Sequence, residues 1–250
     1  MNRTLIYLFL VGWAVLSQGI AATLEEANQK FAAGDFPEAV VAYEKLLDER
    51  GPDAAVYYNL GNAYQNQKKL GHAILAYERA RLLTPRDPDL RANLAMARKA
   101  ATAFEESELH PRVDAVLVYL SRDEWSWLVV GGALFIGTYV LLRGLVKWQL
   151  RWTRQLGGTL AVLAGFAIAA GCSALWLRRD EGARGIVLTE NASVRLSPFA
   201  TAEALGTVTP GRVVRLGKSS GSFRYIEVPG TSLQGWLAKA DVAAILPEVE

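Results

Sequence analysis

The chain has 250 residues, of which 51% are hydrophobic and 21% are charged, and its mean hydropathy is +0.14. This is too apolar for an ordinary soluble domain of that length, so part of the chain is expected to lie in a lipid bilayer. The 27 Lys and Arg residues nearly cancel the 25 Asp and Glu residues, which argues against a nucleic acid partner. The lone cysteine excludes an internal disulfide, and the presence of only two histidines argues against a metal site or a catalytic triad.

The N-terminus has the features of an export signal. Arg3 precedes a 12-residue apolar run over residues 5–16, and small residues follow shortly before Ala22. We therefore interpret residues 1–21 as a signal peptide that is cleaved before Ala22. An uncleaved membrane anchor is the alternative, because residues 4–24 carry no charge. On either interpretation, the segment that follows is exported.

Two later runs are long enough to cross a membrane, since residues 125–142 and 155–177 contain 18 and 23 residues without a charge. We predict transmembrane helix 1 at residues 125–145 and transmembrane helix 2 at residues 155–177, joined by a loop at residues 146–154. Four basic and no acidic residues lie between positions 143 and 154. The positive-inside rule then places this loop in the cytoplasm and both flanking regions on the outer side.

A 34-residue period indicates paired helices in the first of these flanking regions, since Tyr43 recurs as Tyr77. We predict an all-α domain at residues 22–109, with two repeats and a terminal capping helix. Residues 54–87 resemble a tetratricopeptide repeat at eight diagnostic positions, namely Tyr57, Leu60, Gly61, Tyr64, Ala73, Tyr77, Ala80 and Pro85.

Such repeats stack so that the first helix of each unit lines a concave face, which would hold a peptide or another extended partner. The alternative is that the residues on this face are the generic filling of the repeat. Residues 110–124, which follow the domain, are either a linker or a helix at the membrane interface. The candidate protein-binding residues on the concave face are Tyr58, Asn62, Gln65, Asp89 and Asn93.

From Ile186 onward, short β-rich runs alternate with turn residues, which predicts a small all-β barrel at residues 183–246. The Val194-Arg195 pair and the terminal Gly235-Trp236 pair resemble motifs of bacterial SH3 domains. Some members of that family bind cell-wall peptides, whereas the aromatic residues could equally belong to the barrel core. The surface residues that this resemblance implies are Arg195, Phe199, Phe223, Tyr225 and Trp236.

One motif resembles a catalytic one, because Gly217 to Gly221 reads G-x-S-x-G. A nucleophile elbow requires a helix after the serine, and here the pattern predicts a strand. We interpret this segment as the tip of a hairpin. With no paired acids and no cofactor fingerprint in the sequence, we predict a protein that is not an enzyme and needs no cofactor.

The predicted fold class is multidomain, with an all-α tetratricopeptide repeat domain, a two-helix transmembrane hairpin and a small all-β SH3-like barrel. This order resembles the BatE-type membrane proteins of bacterial aerotolerance operons. The resemblance implies a non-enzymatic inner-membrane scaffold with both domains in the periplasm, acting in envelope or oxidative stress tolerance. Its implied partners are von Willebrand factor A domain membrane proteins and a MoxR-type ATPase system. The alternative function is a sensor or anchor that binds peptidoglycan through the SH3 domain.

Overall fold

The computed structural model of the protein describes residues 24–103, 113, 116–117, 119–145 and 151–246. The predicted signal peptide and the first half of the predicted cytoplasmic loop lie outside the described residues. The chain divides into two compact units, the first formed by Met1–Glu106 with Ala183–Glu250 and the second by Ser107–Gly182.

The N-terminal part of the first unit is helical, as the 34-residue period predicts. Aspartates begin three of its helices, because the side chains of Asp35, Asp53 and Asp87 accept hydrogen bonds from amides in the first turn. The described part of helix α1 covers residues 24–32. Four helices follow it: α2 (Phe36–Arg50), α3 (Ala54–Asn66), α4 (Leu70–Leu83) and α5 (Pro88–Ala100).

These helices pack around small residues and buried tyrosine rings. Tyr43 and Tyr77 are fully buried at equivalent positions of α2 and α4. Gly61 of α3 makes the close approach to α4 possible, since a Cβ atom there would lie 2.5 Å from Cε1 of Tyr77. The small and aromatic positions of the repeat pattern therefore form the contacts between neighbouring helices.

The C-terminal part of the first unit is one antiparallel sheet of seven strands in the order β3-β2-β6-β5-β4-β1-β7. Gly221, with a φ of 54°, turns the β4–β5 hairpin at the segment that the sequence predicts to be a hairpin tip. The strands are β1 (Arg184–Val187), β2 (Ala192–Arg195), β3 (Ala204–Val208), β4 (Val213–Ser220), β5 (Phe223–Glu227), β6 (Gln234–Ala238) and β7 (Val242–Ala244).

The prediction of a closed barrel is not confirmed, because the sheet is open. Among the described residues, the edge strands β3 and β7 do not pair with each other. One face of the sheet encloses its own core, which includes Val194, Val214, Ile226 and Leu237. Near the β7 end of the sheet, β1 packs against α4. A helix of the repeat region therefore covers β1, the strand next to the β7 edge.

The helical repeats and the sheet share one hydrophobic core, a feature that the sequence analysis does not foresee. Ile186, Val213 and Ile245 of the sheet region belong to the same buried cluster as the repeat residues. The backbones come close at Gly71 of α4, where a Cβ atom would lie 2.5 Å from the carbonyl oxygen of Leu188. The first unit is thus assembled from two segments that lie far apart along the chain.

The second unit contains helices α6 (Arg122–Leu145) and α7 (Arg151–Leu177). By length and composition, both are apolar enough to cross a membrane. Helix α7 begins at Arg151, inside the segment predicted as a loop. The two helices pack closely where side chains are small, since Cβ atoms at Gly157 and Gly171 would meet Tyr139 and Val129 at 2.4 and 2.6 Å.

Arg178 joins the end of α7 to the segment before α6. Its guanidinium donates hydrogen bonds to the carbonyl oxygens of Leu117 and Leu120 at 3.1 and 2.8 Å and to Glu181 at 2.8 Å. Leu117 also accepts a hydrogen bond from the indole nitrogen of Trp125 at 3.2 Å. The charge of Arg178 is consequently balanced by a carboxylate and enclosed by protein.

Candidate functional site

The candidate site is a row of asparagines on the first helices of the repeats. Asn28 Oδ1 accepts hydrogen bonds from the hydroxyl of Tyr43 at 2.7 Å and from Nδ2 of Asn59 at 3.1 Å. The arrangement recurs 34 residues later on the next unit. We call Asn28, Asn59, Asn62 and Asn93 the asparagine row.

In the second copy, Asn62 Oδ1 accepts from the hydroxyl of Tyr77 at 2.7 Å and from Nδ2 of Asn93 at 3.1 Å. Each amide oxygen is therefore fixed by one tyrosine of its own repeat and one asparagine of the next. These bonds connect α1 to α3 and α3 to α5. The orientation of Asn28 and Asn62 is defined because the Nδ2 group of the next asparagine is a donor, so the amide oxygen and not the amide nitrogen must face it.

Further polar groups complete the row. Asn93 Nδ2 also donates to the hydroxyl of Tyr58 at 2.9 Å, and the Tyr77 hydroxyl contacts Gln65 Oε1 at 3.0 Å. Burial raises the pKa of Tyr43 to about 12 and raises that of Tyr77 as well. Both hydroxyls therefore remain protonated donors at neutral pH.

The structure brings together four of the five predicted protein-binding residues, namely Tyr58, Asn62, Gln65 and Asn93. Asp89 is exposed in the first turn of α5, and among the described residues no hydrogen bond joins its side chain to these four. The sequence analysis misses Asn28, Asn59 and Tyr77 as members of the network. The 34-residue period is the signal that could have found them, because it relates Asn28 to Asn62 and Asn59 to Asn93.

A second cluster contains three of the residues implied by the SH3 resemblance. Trp236 of β6 pairs in register with Arg195 on one side and Tyr225 on the other. The two rings make an edge contact with centroids 5.5 Å apart, and all three side chains are half-buried. The core beneath the sheet is filled instead by aliphatic neighbours such as Leu237.

Phe199 and Phe223, the other two residues implied by the resemblance, lie outside the set of paired residues around Trp236. Phe199 is 64% exposed in the connection between β2 and β3. Phe223 is half-buried at the start of β5 and pairs with Ala238. Within the described residues, no ring contact joins either phenylalanine to Trp236.

Stacked two-helix units with a 34-residue period define the class of helical-repeat proteins, which use extended surfaces to bind other macromolecules. Within that class, residues 54–87 match the family model of the tetratricopeptide repeat. The matched segment consists of α3, α4 and the turns beside them. No curated protein matches the chain.

Proposed function

We propose that the protein is a non-enzymatic membrane scaffold whose repeats bind an extended segment of a partner protein. The asparagine row carries this proposal. Within the described residues, Nδ2 of Asn62 and Oδ1 of Asn93 have no hydrogen-bond partner, and both side chains are only half-buried. The row thus offers an amide donor and an amide acceptor, which are the groups needed to pair with an extended peptide backbone.

The network also holds these groups in place before a partner arrives. The side chain of Asn62 is fixed by Tyr77 and Asn93, so little rotamer entropy is lost when a peptide binds. No cluster of lysines or arginines lies in the row, so a backbone contact suits it better than capture of an acidic terminus.

The packing of the first unit supports a two-span membrane topology with the repeats and the sheet on one side. The Arg79 side chain of α4 donates hydrogen bonds to the carbonyl oxygens of Ala244 and Ile245. These groups contact each other although α6 and α7 lie between them in sequence. If both helices cross the membrane, the chain returns to its starting side, which fits the predicted hairpin.

The basic residues between the helices favour the bacterial cytoplasm for the loop, and so the periplasm for the repeats and the sheet. Arg178, at the other end of α7, does not oppose this orientation because Glu181 balances its charge. The BatE resemblance suggests the partners: von Willebrand factor A domain membrane proteins that work with a MoxR-type ATPase system. On this proposal the scaffold contributes to envelope or oxidative stress tolerance.

The test is co-purification of the tagged full chain from its own host's membranes in mild detergent. We expect von Willebrand factor A domain proteins to be recovered with the native chain and lost with Asn93→Ala, which removes the Oδ1 acceptor offered to the peptide and the amide group that holds Asn62. Asn66→Ala is the matched control, because Asn66 is exposed on α3 and, among the described residues, its side chain bonds only to the backbone carbonyl of Asn62 and to no side chain of the row. Equal recovery with both variants, each shown to be folded, would exclude the row as the binding site.

A second candidate is a peptidoglycan anchor that acts through the half-buried cluster of Arg195, Tyr225 and Trp236. The pairing of Arg195, Trp236 and Tyr225 in register on one face of the sheet favours it, since surfaces with cationic and aromatic side chains bind polar peptides. The full chain in detergent should then sediment with peptidoglycan, and Trp236→Ala should stop this. The full chain is required because a sheet without the repeats would expose Ile186 and Ile245. Absence of sedimentation would remove this candidate.

A further inference from the structure

A cleft in the first unit lies away from the asparagine row and has a strongly positive lining. Its volume is about 280 Å³, and its walls come from α4, β4, β5, the turn before β7, and β7 itself. Leu216 and Val242 form an apolar part of the wall. The polar part consists of Arg79, Ser219, Arg224 and Lys239.

Three cations share this space, and none of the described residues that line it is acidic. The nearby acidic groups of the sheet have other partners, since Asp241 accepts from Thr189 at 2.8 Å and Glu227 lies 3.7 Å from Arg215. On α4, Glu78 is paired with Arg81. Among the described residues, the lining of the cleft thus carries three positive charges and no negative charge, which favours an anionic ligand.

Arg79 is held in a fixed position at this site. Its Nε donates to the carbonyl oxygen of Ile245 at 3.1 Å and its Nη2 to that of Ala244 at 3.0 Å. The guanidinium also lies 5.9 Å from the ring centroid of Tyr57. Because the Arg79 guanidinium is already ordered, less side-chain entropy is lost when a ligand binds to it.

The β-hairpin fixes a second donor pair. Ser219 of β4 and Arg224 of β5 are partners in register, and Arg224 Nε donates to the carbonyl oxygen of Gly217 at 2.8 Å. Lys239 follows β6 and is exposed, so it can adjust to a bound anion. Two guanidinium groups, one ammonium group and a hydroxyl are the donors that proteins use for phosphate.

We propose that this cleft binds a phosphate group, carried either by a soluble compound or by an anionic lipid headgroup. A phosphate monoester brings up to two negative charges to three cations, whereas a carboxylate brings one. The apolar wall of Leu216 and Val242 accommodates the carbon atoms next to the phosphate. This site is independent of the protein-binding surface proposed above.

The experiment is calorimetric titration of the full chain in zwitterionic detergent with inorganic phosphate, and with acetate at equal ionic strength as the comparison. We expect saturable phosphate binding that weakens about tenfold in Arg224→Gln and in Lys239→Gln, because each loses one charge-assisted contact. Lys218→Gln is the matched control on the same hairpin, since its ammonium lies 5.8 Å from the Trp236 ring and outside the cleft lining.

Two further arms identify the source of the phosphate. Glycerol phosphate stands for a soluble ligand, and short-chain phosphatidic acid, compared with phosphatidylcholine of equal chain length, stands for a lipid headgroup. The source of the phosphate is the compound that binds more tightly, provided that Lys239→Gln weakens its binding. Three results would overturn the proposal: no phosphate binding, equal binding of acetate, or an equal effect of the Lys218→Gln control.

Discussion

Glu78 is a buried carboxylate on which the junction of α4, α5 and β1 depends. Its side chain is 1% exposed and accepts from Arg81 at 2.7 Å and from Arg98. Burial by itself would raise the pKa of this carboxyl, but Arg81, Arg98 and Arg184 outweigh it and lower the pKa to about 2. We expect Glu78→Gln to be strongly destabilising because it leaves a group of guanidiniums without their shared anion.

The expected loss of stability in Glu78→Gln depends on how exposed the remaining arginine side chains are. Removal of one partner from a buried ion pair costs about 3–5 kcal/mol. The side chains of Arg81 and Arg98 keep 17% and 22% exposure, so water can solvate them in part and the lower value of about 3 kcal/mol applies. For a chain of this length, that corresponds to a fall in Tm of roughly 6–12 °C.

The assay is thermal unfolding of the full chain in detergent, followed by near-UV circular dichroism. Hydrogen exchange should accelerate in peptides from α4, α5 and β1. Glu49→Gln is the control, because Glu49 is 51% exposed, 3.7 Å from Lys45, and its loss should cost less than about 0.5 kcal/mol. A change in Tm no larger than that of Glu49→Gln would refute the reasoning.

Three other variants test the packing and the titration of this unit. Gly61→Ala should lower Tm, because the added Cβ atom overpacks against Tyr77 at a cost of about 1–3 kcal/mol. Helix propensity alone would raise Tm, so a measured rise would contradict the overpacking. Gly71→Ala should speed hydrogen exchange in β1 because its Cβ meets the Leu188 carbonyl, and unchanged exchange would contradict that contact. Burial, with Lys69, lowers the pKa of His72 from its ordinary value of 6.5, so the folded state binds its proton less readily. Stability should therefore fall as the pH drops below 6.5, and His72→Gln should flatten this part of the measured pH profile.

Local pattern is sufficient to predict the helices of both units. The recurrence of Tyr43 as Tyr77 gives the repeat length, and the two uncharged runs identify α6 and α7. Both signals come from residues that are close together in the sequence. The asparagine row is predicted only in part. Asn62 and Asn93 are identified from the expected surface, whereas Asn28 is missed because none of the diagnostic positions of the repeat is an asparagine.

The contact between the repeats and the sheet has no local signal. Ile74 of α4 and Ile186 of β1 are ordinary apolar residues, more than a hundred positions apart, and either could fill the core of its own segment. The same limit explains the barrel prediction. The strand-rich pattern near Val194 indicates a small sheet, but whether the sheet closes depends on what else packs against it, and here α4 packs against β1.

Three consecutive residues of α4 contact three different parts of the first unit. Successive side chains on a helix project about 100° apart, so Tyr77, Glu78 and Arg79 point in three directions. Tyr77 donates to the asparagine row, Glu78 binds the arginines of α4 and α5, and Arg79 holds the carbonyl groups at the end of the sheet. A displacement of α4 by any one neighbour therefore changes the position of the other two contacts. For this reason the repeats and the sheet are expected to unfold together rather than as independent domains.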